Sequence, residues 1–205
     1  MEINIKQVSN SYELNSVYKL TYETFRERRL CSPQLDGKLI NNIDLDFDPR
    51  TRILIATLEE EVIGTLSYTS CTSPQELYNY HTFSGELDKE VLPDNKGFSV
   101  WRMATKSGFA IQPLVLMMLI RKVMKMNLIE KNPIGYCSVM AEDMAVYEKI
   151  LQEVTLISTR RKKTKEIDGE LSYFRMNLNQ SHVDILTRRI NIMTKRYSHR
   201  LQKAG

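Results

Sequence analysis

The sequence predicts an α/β (α+β) protein, a mixed central sheet flanked by helices with an amphipathic C-terminal helix. Three observations predict it. Short apolar or β-branched runs alternate with longer segments of helical period along most of the 205 residues. Two pairs of strand-like runs are joined without a helix and should pair antiparallel, whereas other runs are separated by a helix, which allows parallel pairing. The hydrophobic fraction is 42% against 26% charged, the balance of a chain with an ordinary core. At roughly 100–200 residues per domain, the length fits one domain with at most an appendage. We divide it into residues 1–180, a single domain, and residues 181–205, a basic helix packed on it or extending from it.

Ile3, Ile5 and Val8 mark a first short strand. Asn10 with Glu13 three residues later forms a capping box, so a helix should begin near Ser11 and end around Leu30. Leu14, Val17, Tyr18, Thr21, Tyr22 and Phe25 give it one buried face. After a polar stretch with Pro33, Gly37 and Pro49, residues 52–58, the turn at 59–61 and residues 62–69 read as a hairpin. Residues 73–97 are turn-rich, with 75–80 as the helical candidate. A strand follows from Gly97 to about Thr105, then a buried helix led by Pro113, which suits a first helical turn because it lacks the N–H that would be unpaired there. That helix should reach Asn127. Residues 134–140 read as a strand, 142–153 as a helix, and 155–159 and 171–178 as strands around a basic turn closing at Asp168 and Gly169. Val183, Leu186, Ile190, Met193, Tyr197 and Leu201 then form the stripe of the terminal helix.

Composition excludes several classes. The longest apolar run, residues 109–120, is too short to span a bilayer and contains Gln112 and Pro113. No charged segment leads into an apolar stretch at the start of the sequence, so a cytoplasmic location is expected. Cys31, Cys71 and Cys137 lack metal or disulfide spacing and read as small buried side chains. His81, His182 and His199 have no companions. Asp44, Asp46 and Asp48 copy the first ligand spacings of a calcium loop, but the turn glycine is missing and no helix precedes them suitably, so no metal is expected. Lys and Arg number 29 against 25 Asp and Glu, and residues 181–205 carry six of the former against one of the latter. With Arg160, Arg161, Lys162, Lys163 and Lys165, this basic surface suits an acidic carrier protein or a cofactor's phosphates. Nucleic acid is the weaker partner, because Trp101 is the only tryptophan and no aromatics alternate with the basic residues.

The order of elements, with a long buried helix after the fourth strand, resembles the GNAT acyltransferase fold. Asp44-Leu45-Asp46-Phe47-Asp48-Pro49 followed by Ile53-Leu54-Ile55-Ala56 and Val62-Ile63-Gly64-Thr65-Leu66 is similar to the start of the acyl-homoserine-lactone synthases and N-acyl amino acid synthases. Val100-Trp101-Arg102-Met103-Ala104 resembles their arginine-bearing strand. Thr105-Lys106-Ser107-Gly108-Phe109-Ala110 resembles the end of the GNAT pyrophosphate loop, and residues 141–151 the late helix that supplies a tyrosine, here Tyr147. The resemblance spans about residues 1–178. Ser67 and Ser99 stand where lactone synthases commonly carry an arginine and a glutamate, which favours the N-acyl amino acid synthases as neighbours.

The resemblance implies an N-acyltransferase that moves a medium or long acyl group from acyl-CoA or an acyl carrier protein to a small amine, with that of an amino acid as a candidate, and with no tightly bound cofactor. Acyl-CoA or acyl-phosphopantetheine would be the co-substrate, held by Met103, Ala104, Thr105, Lys106, Gly108 and Ala110, with a main-chain N–H near Met103 or Ala104 for the oxyanion. Tyr147 would protonate the leaving thiolate; its alternative is a core tyrosine. Arg102 would bind an acceptor carboxylate or pair with an acidic residue such as Asp48, and Asp48 would serve in acid–base work or amine binding. The methionines on the fourth-strand helix could line an acyl chain or simply fill the core. The competing reading is a non-catalytic module of the same fold that recognises an acyl carrier, a protein partner or nucleic acid.

Overall fold

The computed structural model describes residues 2–108, 110–151, 153–163 and 168–202, leaving aside the side chains of 162, 163, 168 and 198–202. The chain runs β1 (Asn4–Gln7), α1 (Ser11–Glu27), α2 (Ile43–Asp46), β2 (Thr51–Leu58), β3 (Glu61–Cys71), α3 (Tyr80–Leu87), β4 (Gly97–Thr105), α4 (Gln112–Ile129), β5 (Ile134–Met140), α5 (Met144–Leu151), β6 (Val154–Lys163), β7 (Asp168–Asn177) and α6 (Gln180–Gln202). The strands form one seven-stranded sheet in the order β1-β2-β3-β4-β5-β7-β6. Every neighbouring pair is antiparallel except β4 and β5. The mixed sheet expected from the sequence is the observed architecture.

Strand alternation sorts the core into layers. Leu54 and Ala56 of β2 join Val115, Leu119 and Val123 of α4 in the main core, while Ile53 and Ile55, alternating with them, pack with Val17 and Tyr18 of α1 on the other face. A third cluster sets Phe83 and Leu87 of α3 against Tyr136 and Tyr173. Gly64 lets α4 approach β3, because a Cβ there would lie 2.5 Å from a Val115 methyl. Helix α6 continues the main core through buried Val183, Leu186 and Ile190, and Arg189 donates to the Lys149 carbonyl. Among the described residues no helix is long and apolar enough to cross a membrane.

Helix α1 starts as its cap predicts: the Asn10 side chain accepts the Glu13 N–H at 2.9 Å, and the Glu13 carboxylate reaches back to the Ser9 N–H at 2.8 Å. It ends earlier than expected, at Glu27, because Arg29 takes a left-handed φ of 58°. Between 73 and 97 the helical turn is a 3-10 turn at Pro74–Glu76, and the true helix is the following α3. The basic segment 160–163, expected as a turn, is strand: Arg160 to Lys163 pair in register with Leu171 to Asp168. An edge strand tolerates long charged side chains and is protected by them from pairing with other chains. Lys165 lies outside the described residues.

The feature that positions a site is a split in the sheet. Strands β4 and β5 pair only at Phe98 with Gly135, Ser99 with Tyr136 and Val100 with Cys137. Beyond that point β4 follows β3 to Thr105 opposite Gly64, and β5 follows β7 to Met140 opposite Leu171. The parting coincides with a bulge: Ser67 faces Arg102 and Tyr68 faces Val100, so Trp101 is the extra residue in β4. A bulge bends its strand and increases its twist, and here the bend separates two parallel strands.

Candidate active site

Three cavities meet in this split. One of about 230 Å³ lies between the end of β4 and the starts of α4 and α5, lined by Ala104, Thr105, Gln112, Pro113, Leu116 and Ile150 among others. A second, of about 80 Å³, opens toward α1 and the 73–79 segment and is lined by Asn41, Tyr78, Asn79, Trp101 and Ser138. The third, about 20 Å³, is apolar and reaches between Leu66, Ile120, Met124, Cys137 and Phe174. Met103 and Tyr147 line all three, and Thr24, Arg28 and Asp143 line the first two. A wider groove of about 700 Å³ at the β1–β2 edge shares none of these residues.

Tyr147 comes from α5, where burial of Met144, Tyr147, Ile150 and Leu151 fixes the face it presents. It is 8% exposed. Its hydroxyl donates to the Met103 sulfur at 3.5 Å, a weak acceptor. Burial pushes the phenol well above its ordinary range, so it holds its proton at all physiological pH values. Cys137 nearby is likewise pushed up by burial, to about 12, and stays a neutral thiol.

On the β4 side the backbone is available. Lys106 N–H donates to Ile63 carbonyl at 2.9 Å. Alternation along an antiparallel ladder then turns the N–H groups of Ala104 and Arg102 toward β3 and those of Met103 and Thr105 toward the gap left by β5. The Thr105 hydroxyl accepts the Gln112 amide at 2.9 Å, tying the end of β4 to the first residue of α4. Gly108 has a φ of 75°, a conformation that favours glycine, and open space where a side chain would stand. Helix α4 follows with Pro113 in its first turn and no side-chain cap, which leaves N–H groups at that end unclaimed by side chains. Lys106 is ion-paired with Glu61, and the Ala110 carbonyl accepts the Tyr197 hydroxyl.

Arg102 occupies a different environment. Its side chain and that of Asp46 are both fully buried and meet through two 2.8 Å hydrogen bonds. Tyr18 donates to the same carboxylate at 2.8 Å. The guanidinium carbon lies 4.7 Å from the Trp101 ring centre and 5.2 Å from that of Tyr18. The Tyr18 phenol is pushed up, first by burial and then by its bond to Asp46. The partner is Asp46, not Asp48 as expected. Asp48 instead takes Arg50 through bonds of 2.8 and 3.1 Å, which hold its carboxyl below the usual range, and it lines none of the three cavities. The short helix α2, capped by Asn42 accepting the Leu45 N–H at 3.1 Å, carries Asp46 to Arg102. The sequence reading missed that helix. Arg102 therefore supports the cavity wall from behind, through Trp101 and a 3.4 Å bond to Asn41.

The two serines at the departures from the lactone-synthase pattern both have structural partners. Ser99 accepts the Tyr78 N–H at 3.0 Å, which seats Tyr78 on Trp101 with ring centres 5.4 Å apart. Ser67 is buried beside Arg102. Arg28, Asp143, Asn79 and Ser138 were not foreseen. They come from three regions far apart in sequence, Arg28 after α1, Asn79 before α3, and Ser138 with Asp143 at and just after β5, and only the folded chain places them on one cavity.

Residues 16–166 match the family N-acyl amino acid synthase FeeM. No curated protein is significantly similar to the chain. Among solved structures, FeeM, an N-acyl amino acid synthase from uncultured soil microbes, is 14% identical with a TM-score of 0.67, covering 86% of this chain and 91% of its own. BjaI, a CoA-dependent acyl-homoserine lactone synthase, is 16% identical with a TM-score of 0.70, covering 93% and 90%. Aminoglycoside 6'-acetyltransferase type Ii is 12% identical with a TM-score of 0.55, covering 85% and 96%. At these identities the three structures establish the acyltransferase fold.

Proposed function

Because the chain belongs to the N-acyl amino acid synthase FeeM family, we infer that it is an acyltransferase that moves a medium or long acyl group from a pantetheine thioester, on CoA or a carrier protein, to the amine of an amino acid. The observation that carries the reading is the junction of three cavities at Met103 and Tyr147. The thioester enters by the 230 Å³ cavity, with the pyrophosphate of CoA or the single phosphate of a carrier's phosphopantetheine against the uncapped N-terminus of α4 and the Gly108 turn. The acyl chain turns into the apolar cavity, where Met103, Met124 and Met176 can adjust to it. The amine arrives from the α1 side.

The neutral amine attacks the thioester carbonyl. A C–N bond forms, and the carbonyl oxygen takes negative charge facing the Met103 N–H. As the intermediate collapses, the C–S bond breaks and its electron pair leaves on sulfur, which accepts the Tyr147 proton. The proton lost by the amine restores the phenol directly or through water, so the net products are amide and thiol. A buried phenol is a weak acid in isolation. The departing thiolate is desolvated in the same cavity, so both anions are raised and transfer between them stays feasible. Thr105, Lys106 and Ala110 frame the donor loop, and Arg102 acts through the wall it supports.

A donor that binds only the folded state should stabilise it by mass action. Long-chain acyl-CoA at about 100 times its Kd is expected to add about 2.7 kcal/mol, raising Tm by roughly 5–10 °C, and free CoA should do less at equal concentration. Differential scanning fluorimetry with CoA, acyl-CoA and acylated carrier protein checks this. The absence of a shift with all three would remove the donor site.

A further inference from the structure

We propose that Arg28 and Asp143 form the acceptor subsite, Arg28 binding the carboxylate of a free α-amino acid while Asp143 holds its amino group at the Met103–Tyr147 junction. The proposal rests on the acyltransferase reading and deepens it by naming what recognises the acceptor. Arg28 and Asp143 are the charged side chains among the described residues lining the 230 and 80 Å³ cavities, and both line both of them. The guanidinium foreseen for a carboxylate, Arg102, is consumed by Asp46 and lines neither. Ser67 and Ser99 bring no charge from the sheet.

The geometry suits exchange of one ligand for another. Arg28 stands at the C-cap of α1 and donates to Asp143 at 2.7 Å through one terminal nitrogen and to Glu142 through the other. Its side chain is 34% exposed, and those of Asp143 and Glu142 are 31% and 68% exposed. The Glu142 pair is a surface contact of little net worth, so an incoming carboxylate can replace it in the same bidentate-capable fork. Asp143 meanwhile keeps the guanidinium in place and offers its second oxygen to the amino group. Asp143 ends the 3-10 turn that leads into α5, four residues before Tyr147, and the two side chains line the same two cavities. An amine held there stands next to the phenol that serves the leaving group.

The test uses the full chain and two matched probe pairs: a free amino acid and its amide as acceptors, and an N-lauroyl amino acid and its N-lauroyl amide as binding ligands. Calorimetry should show wild type binding the lauroyl acid about 10- to 100-fold more tightly than the lauroyl amide. Arg28→Gln should erase that difference without lowering affinity for the amide, and Arg28→Lys should restore part of it. In turnover, Arg28→Gln should raise KM for the free acid by a similar factor and leave the amide's KM and both kcat values nearly unchanged. Equal binding of acid and amide by wild type, or an equal loss of both in Arg28→Gln, overturns the proposal while the acyltransferase reading stands. Failure of wild type to acylate any amine is the failure of that reading, and the binding arm still decides the carboxylate site.

Discussion

Asp46→Ala is expected to destabilise the fold by about 3–5 kcal/mol, because it leaves the Arg102 guanidinium buried without its counter-charge. For a chain of this length that is a fall in Tm of roughly 6–20 °C. Asp48→Ala is the control. Its partner Arg50 is 44% exposed, and its loss should cost about 1 kcal/mol or less. A double variant, Asp46→Leu with Arg102→Met, should be more stable than Asp46→Ala alone, since replacing a buried ion pair by apolar groups of similar volume is often neutral. Equal Tm losses for Asp46→Ala and Asp48→Ala would mean that the buried pair does not hold the wall of the site.

Tyr147→Phe is expected to lower kcat by about 10²-fold or more, the usual consequence of losing a positioned proton donor, with the Kd for acyl-CoA little changed. The substitution isolates chemistry from folding, because the hydroxyl's partner among the described residues is a thioether. The pH profile carries a sign. Since burial raises the Tyr147 pKa, the phenol stays protonated past pH 10, and wild-type rate should show no alkaline decline from this group below that value. Folding stability behaves differently. The buried phenols of Tyr18, Tyr68, Tyr136, Tyr147 and Tyr173 are all raised. Above the ordinary tyrosine pKa of about 10 the unfolded chain binds fewer protons than the native one, so their contribution is complete below pH 10 and is lost as pH rises beyond it.

Much of the frame was legible because burial writes continuous apolar runs. Strand β4 was foreseen as Gly97 to about Thr105 and β5 as residues 134–140, and those are their limits. The parallel pair and its flanking helices follow from such runs and from Pro113. Where the signal is weak, the reading missed. Helix α3 has Ser84 and Gly85 inside it and begins after Asn79 in a left-handed conformation, so periodicity did not reveal it. The first half of β6 was foreseen as residues 155–159, but its second half, 160–163, reads as a turn because four consecutive basic residues have little strand character of their own, and it is strand because β7 pairs with it.

The site divides in the same way. Tyr147, Met103, Ala104 and Thr105 could be singled out through the resemblance, and all four line the cavities at the split. Choosing among Asp44, Asp46 and Asp48 required knowing that Asn42 caps a single helical turn. Arg28 carries no local mark. It becomes part of a site only because α1 ends where α5 begins, a contact between residues 115 positions apart.

The most direct measurement of the central claim is mass spectrometry of the products formed when purified wild type and Tyr147→Phe are each given a long-chain acyl-CoA, or the same acyl group on a carrier protein, together with a mixture of free amino acids. Wild type should yield N-acyl amino acids and one equivalent of free thiol with at least one donor, and Tyr147→Phe at least tenfold less of both. Thiol release without any acylated amine, or equal product from the two proteins, would contradict it.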